Sequence, residues 1–324
     1  MSEAAVQIGL VWVTEALYVL GFVLLVLGFA LGRDRWIERS FAALAVGLVP
    51  HTGAIILRWI EAGHAPYIQF YEVILSDTWF GVAIFLLLVW RYPRLRPAGL
   101  VAMPLTVILL GIAVFSSTEI RSLPPTFQTY WLIVHILFAK LTYGSWLVAA
   151  DLGFLYLLKE RFLRRLSGLA ADESVLAAEG AGLSADESGL SADESGPSAE
   201  NLTGSSRLAK FYLRLPQLGR LDELSYQFVV AGFLFCGVMI ASGSVWANNA
   251  WGQYWGWDPV ETWSLVTWLV YGLYLHLRLK RGWWGTRSAW YSLGALGVAL
   301  AAFFVMPYVM DSIHSAYLGS SFQQ

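Results

Sequence analysis

Apolar residues in this chain run in long unbroken stretches, with the charged residues gathered between them. A hydrocarbon core about 30 Å thick is crossed by roughly 20 helical residues. Eight stretches meet or approach that length, near 9–31, 41–60, 77–91, 98–116, 131–158, 226–247, 262–279 and 288–310, the third short and the fifth long. The pattern predicts an all-α fold: a polytopic membrane helix bundle of about eight transmembrane helices, with both termini on one side. The first stretch follows Met1-Ser2-Glu3 without a basic region and is long enough to span, so it is expected to be an anchor and not a cleaved signal.

Charge sets the orientation. Arg33, Arg35 and Arg39 follow the first stretch, Arg91, Arg94 and Arg96 the third, Lys159, Arg161, Arg164 and Arg165 the fifth, and Arg278, Lys280, Arg281 and Arg287 the seventh. Only Arg58, Arg121 and Lys140 depart from this alternation. The positive-inside rule makes those loops cytoplasmic and puts both termini outside. The longest loop repeats a short acidic heptapeptide, Gly182 to Ser188 and again Gly189 to Ser195, after a looser copy from Gly168 to Ser174. Small and acidic residues supply too little apolar surface to offset ordering entropy. The expected organisation is therefore helices one to five over 1–166, a disordered acidic cytoplasmic insertion over 167–205, and helices six to eight over 206–324.

Composition agrees and narrows the chemistry. With 57% hydrophobic and 14% charged residues the chain is too apolar for a soluble domain of its size. Its one cysteine, Cys236, can neither close an internal disulfide nor build a cysteine metal cluster, which leaves five histidines as metal ligands. The net charge of −2 argues for no partner by itself, and no nucleic acid is expected.

Between the sixth and seventh stretches, on the external side of this topology, lies 246–263, where five of the sixteen tryptophans fall within eighteen residues. An interfacial aromatic belt is the plain explanation for such residues. A belt does not call for two glycines and an Asp-Pro corner among the rings. Gly252 and Gly256 allow close approach of backbone or a flat ligand, and Asp258-Pro259 followed by Glu261 is a helix start, with Asp258 expected to cap it. Trp246, Trp251, Tyr254, Trp255, Trp257 and Trp263 on a glycine-relieved loop suit a large planar apolar ligand.

The string Trp251-Gly252-Gln253-Tyr254-Trp255-Gly256-Trp257-Asp258, continued by Glu261-Thr262-Trp263, resembles the tryptophan-rich "WWD" signature of the haem-handling superfamily of cytochrome c biogenesis. The likeness extends through Trp268 to Arg278 and His314-Ser315, and upstream through Leu57-Arg58-Trp59, Gly63-His64 and Tyr71-Glu72. Among the branches that carry this loop, an eight-span chain of this size resembles the CcsA/ResC-type subunit of the two-component (System II) cytochrome c synthase. The 167–205 insertion departs from the family.

The resemblance implies haem b as the bound group. It carries the family's paired external axial ligands onto His135, at the outer start of span five, and His314, beyond the outer end of span eight; topology places both at the level of the tryptophan loop. It also carries an intramembrane ligand onto His276, whose opposite ligand comes from the partner subunit's region, with His51 as a possible substitute and a buried hydrogen-bonded histidine as the alternative for His51. Arg58 and Arg121 are the external candidates for the haem propionates, Arg58 being equally readable as a snorkelling side chain. Lys140 and Asp151 lie about 16 Å apart along one helix, so each needs its own partner or a water.

The implied activity is haem translocation, presentation and covalent attachment to apocytochrome c through a Cys-x-x-Cys-His motif. The chain would act as a synthase subunit with a ResB/CcsB-like membrane partner, with thiol-reducing proteins involved indirectly and no catalytic residue beyond those that present haem. The implied location is a bacterial-type plasma membrane, or by family a thylakoid. Two other readings stand beside it: a CcmC-like haem-export chaperone that hands haem to a carrier, and a solute transporter, which would show inverted repeats and broken spans.

Overall fold

The computed structural model describes residues 3–67, 69–116, 118, 120, 127–183, 212, 215–310 and 312, with backbone alone at 3, 168–183, 304, 307 and 308. Among them the only regular structure is helical: α1 Glu3–Leu31, α2 Asp34–Ala62, α3 Phe70–Arg91, a 3-10 turn Pro93–Ala98, α4 Gly99–Val114, α5 Tyr130–Leu183, α6 Leu218–Trp251, α7 Pro259–Arg281, α8 Thr286–Phe304 and a final turn α9 Met306–Val309. Each expected span falls on one of α1 to α8. Six segments are long and apolar enough to cross a membrane: α1, α2, α3, the 3-10 turn with α4, α5 and α6. The helices α7 and α8 are less apolar, since α7 ends in Arg278, Lys280 and Arg281 and α8 opens with Thr286-Arg287-Ser288, so the bundle holds six to eight candidate spans.

Local sequence sets the ends. A capping box, Gln69 with Glu72, starts α3. Pro259 stands in the first turn of α7, and Gly63 and Gly252 close α2 and α6 in the left-handed region with φ of 71° and 78°. The helix α5 continues to Leu183, into the segment expected to be disordered from 167. The Leu, Ala and Glu residues of its first stretch are good helix formers and extend a helix already nucleated in the bundle; 184–211 lie outside the described residues.

Packing divides the molecule into two apolar clusters. One joins α1 to α4 with the far end of α5 and the start of α6, around Tyr18, Leu44, Leu75, Met103 and Leu152. The other lies among α5 to α8, where Trp146 and Tyr271 stack with centroids 3.8 Å apart and planes 6° from parallel. Large apolar side chains on the outside, such as Val49, Ile60, Leu87 and Leu269, are exposed, as lipid-facing residues are. A third, small cluster of Phe127, Leu132 and Trp246 sits where α5 begins and α6 ends. It anchors Trp246 and Trp251, at the end of α6 where the tryptophan loop begins.

Candidate functional site

Ion pairs inside the bundle brace the helices that carry the site. Arg58, 1% exposed, donates from Nε to Glu72 at 2.8 Å, from Nη1 to the Thr118 carbonyl at 2.8 Å and from Nη2 to Gln69 at 2.6 Å. Its fork is directed at protein acceptors and joins α2 to the start of α3. Arg121 lies outside the described residues. Lys140 finds its partner in Asp77 on α3, with Ser76 Oγ at 2.8 Å. Arg278 forks onto Asp222 with bonds of 3.0 and 2.7 Å, and Asp222 also accepts from Gly285 N–H at 3.0 Å, fixing the α7–α8 turn.

The tryptophan loop is held from several directions. Asp258 caps α7 by accepting from Val260 N–H at 3.0 Å and also accepts from Ser312 Oγ at 2.8 Å. Gly256 N–H donates to Glu261 at 2.9 Å, and Ser244 Oγ on α6 donates to the Tyr254 carbonyl at 2.7 Å. Among the described residues Trp257 alone of the non-glycines has positive φ, 57°, a conformation costly for a bulky side chain. Its indole is 70% exposed and Tyr254 is 60% exposed. Trp255 meets Trp257 edge-on at 5.8 Å, and its buried Nε1 has no hydrogen-bond partner among the described residues. Trp246 and Trp251 meet edge-on at 4.8 Å within the third cluster, and Trp263 is half-buried on α7. Tyr67 packs on the same cluster, and burial first, then the Glu72 carboxylate, pushes its phenol above the usual range. The loop thus divides its rings: Trp246 and Trp251 anchor it, while Tyr254, Trp255 and Trp257 face out or toward the space below.

That space is a cleft open at its mouth that encloses about 100 Å³, bordered by α5, α6, α7 and α8, with His135, Tyr143, Trp246, Tyr254, Trp255 and Glu261 in its wall. His135 Nδ1 lies 2.8 Å from the Met239 carbonyl on α6. A carbonyl only accepts, so Nδ1 carries the proton and the lone pair belongs to Nε2, the tautomer and second-shell bond of a metal-binding imidazole. The ring is pressed against α6 at Gly243, where a Cβ would stand 2.6 Å from Nδ1. Gly243, Ser244 and Tyr143 were not singled out from sequence; the only hint was the small-residue run Ala241-Ser242-Gly243-Ser244.

The other histidines separate. His314 lies outside the described residues, although Ser312, two positions earlier, bonds to Asp258 at the loop. His51 is fully buried, its Nδ1 3.0 Å from Tyr18 Oη and its Nε2 2.8 Å from the Leu75 carbonyl. Both ring nitrogens are engaged, so His51 ties α1, α2 and α3 together. His276 is exposed on α7, on the same face as exposed Leu269, Leu273 and Leu279.

Fold and site together define a polytopic helical membrane protein with an aromatic platform above an imidazole-bearing cavity. Residues 67–314, which include His135, the tryptophan loop and His276, match the cytochrome C assembly protein family. The chain is 34% identical over 310 residues to the cytochrome c biogenesis protein CcsA of Synechococcus sp. (strain CC9605), covering 91% of this chain and 93% of that protein. It is also 34% identical over 276 residues to the CcsA of Gloeobacter violaceus, covering 80% of each. The chain belongs to the cytochrome c assembly family and is of the CcsA type. Among solved structures it is similar to the cytochrome c haem lyase CcmF, with a TM-score of 0.61 at 16% identity; the match covers 98% of this chain but 49% of that one, so this chain spans about half the lyase's length and the likeness is one of fold.

Proposed function

We propose that this protein holds haem b between the tryptophan loop and His135 at the external face of the membrane and presents it for covalent attachment to apocytochrome c, as the CcsA-type subunit of a cytochrome c synthase with a ResB/CcsB-like partner. The carrying observation is the His135 imidazole in the wall of the cavity under the loop, its tautomer set by Met239 and its position by Gly243. Lys and Arg gathered in alternate loops support an external tryptophan loop, and the family supports a bacterial-type plasma membrane or a thylakoid.

The residues present fit such a ligand. Apolar walls and indole faces suit a porphyrin, and an imidazole nitrogen suits its iron. Bound there, haem supplies vinyl groups to which the thiols of a Cys-x-x-Cys-His acceptor add as thioethers. The chain's own part is positional. His135 would hold the iron through its Nε2, and Trp255 and Trp257 would pack against the ring. Asp258 and Glu261 keep the loop from collapsing onto the cavity. His314 is the proposed second imidazole to hold the iron. The setting of His276, exposed among the described residues, supports a haem-receiving role completed by the partner subunit.

The deciding experiment is the absorption spectrum of the purified protein. His135→Ala removes the low-spin bis-imidazole bands, while His51→Ala retains them in whatever protein folds. Survival of those bands in His135→Ala, in His314→Ala and in the double variant would sink the proposal. Co-purification of a ResB-like subunit, as opposed to a small haem carrier, separates the synthase from the export chaperone.

A further inference from the structure

Four arginines meet at one corner of the bundle, on the face that the basic loops assign to the cytoplasm. Arg91 ends α3, Arg94 and Arg96 stand in the 3-10 turn, and Arg220 lies in the first turn of α6. Tyr92 joins two of them. The Arg91 guanidinium carbon is 4.8 Å from the Tyr92 ring centroid and that of Arg220 is 5.4 Å from it, so two cations share one ring although α4 and α5 lie between them in the chain. Arg96 leans over Phe41 of α2 at 5.9 Å, and its buried Nε has no hydrogen-bond partner among the described residues.

The protein leaves this charge unanswered. Among the described residues the ion pairs include none of Arg91, Arg94, Arg96 and Arg220. The two carboxylates that follow Arg220 on α6 are both turned to Arg278, Asp222 at 2.7 Å and Glu223 at 3.8 Å. Like charges on one ring repel, and the negative face of the ring offsets only part of that. The positive-inside rule accounts for basic residues after α3, but it does not account for Arg220 folding onto the ring that Arg91 already touches.

The membrane side of the cluster is apolar and open. Leu87, one turn before Arg91 on α3, is 62% exposed, and Trp90 is 78% exposed. An anion that carries acyl chains can use both the arginines and this flank; a soluble anion can use only the arginines.

We infer that Arg91 and Arg220, gathered on Tyr92 and backed by Arg94 and Arg96, bind the phosphate headgroup of an anionic phospholipid in the cytoplasmic leaflet, with its acyl chains along Leu87 and Trp90. Guanidinium forks match phosphate oxygens, and basic pockets between spans on this side of a membrane hold such headgroups. Arg91, Arg94 and Arg220 are exposed, so the headgroup reaches them without any opening of the bundle. Bound there, it relieves the repulsion and joins the end of α3 to the start of α6. The inference does not depend on haem binding at the external face.

The full-length protein in detergent is titrated with phosphatidylglycerol or with phosphatidylcholine of the same acyl chains, and bound lipid is counted by native mass spectrometry. The parent should take up its first phosphatidylglycerol about tenfold more tightly than phosphatidylcholine, and Arg91→Gln with Arg220→Gln should bring the two lipids level. Arg281→Gln with Arg287→Gln, which removes two exposed charges at the other basic loop, should leave the preference intact. Equal losses in the two double variants would reduce the effect to net surface charge and overturn the site. A parent that does not distinguish the lipids would overturn it as well. Displacement of phosphatidylglycerol by inorganic phosphate would make the occupant a soluble anion and sink the lipid assignment. All four substituted side chains are exposed, so loss of folding does not cloud the comparison.

Discussion

Gly243 on α6 faces the imidazole of His135 on α5 so closely that a single added carbon would stand 2.6 Å from Nδ1 and 2.9 Å from Cε1. The ring cannot keep both this position and its 2.8 Å bond to the Met239 carbonyl once that carbon is present. Gly243→Ala should therefore weaken haem affinity by about 10- to 100-fold, the range seen when a ligand's supporting shell is disturbed. Haem titration followed at the Soret band measures it. Added imidazole should restore the spectrum of His135→Gly but not of Gly243→Ala, where the displaced ring still fills the site. Unchanged affinity in Gly243→Ala would detach the glycine from the site.

Trp257 offers the opposite separation of stability from binding. Its φ of 57° is one that glycine adopts freely and a bulky residue does not. Trp257→Gly should raise, or at least not lower, the unfolding midpoint, the relieved strain being on the order of 1–2 kcal/mol, while haem binding falls through loss of the exposed ring. Thermal unfolding in detergent and haem titration on one preparation test both halves. A destabilised variant with normal haem content would mean that the ring packs and does not present.

Much of this was legible in the chain before any coordinates. Unbroken apolar stretches fix helices because the bilayer leaves backbone groups no other partner, and the Asp258-Pro259 pair marked the start of α7 through chemistry local to four residues. What escaped was every relationship between distant helices. Nothing in the sequence couples Arg58 to Glu72, Asp77 to Lys140, or Asp222 to Arg278, because each depends on which helices become neighbours. His51 illustrates the same limit. A span histidine is a candidate ligand until Tyr18 and Leu75, from two other helices, are seen to engage both of its nitrogens.

The Arg58–Glu72 pair makes a stability prediction distinct from a haem-binding one. Both side chains are 1% exposed, and removing one partner of a buried pair leaves an uncompensated charge, typically at a cost of about 3–5 kcal/mol. Arg58→Met and Glu72→Gln should each lower the unfolding midpoint strongly. Arg58→Met combined with Glu72→Met should recover part of the loss, the α3 capping box and the Arg58 bonds to Gln69 and the Thr118 carbonyl staying broken. Haem bound per folded molecule should stay near the parent value throughout. A selective loss of haem in Arg58→Met, with the midpoint unchanged, would return Arg58 to the propionates.

Ser312 tests whether the chain leading to His314 is brought to the platform by the loop itself. Its hydroxyl donates to Asp258 Oδ2 at 2.8 Å, the same oxygen that accepts from Val260 N–H at 3.0 Å. One carboxylate therefore both starts α7 and holds Ser312. Asp258→Ala removes cap and tether together and should cost about 1 kcal/mol from the cap alone, as well as weakening haem binding. Ser312→Ala leaves the cap in place, so its effect on global stability should be small, about 0.5–1.5 kcal/mol at most for one hydrogen bond. If the tether positions the second axial ligand, Ser312→Ala should still shift the spectrum toward a five-coordinate or mixed-spin form, and the shift should be absent in a His314→Ala background. A low-spin spectrum that survives Ser312→Ala but not His314→Ala would show that the ligand reaches the iron without help from Asp258.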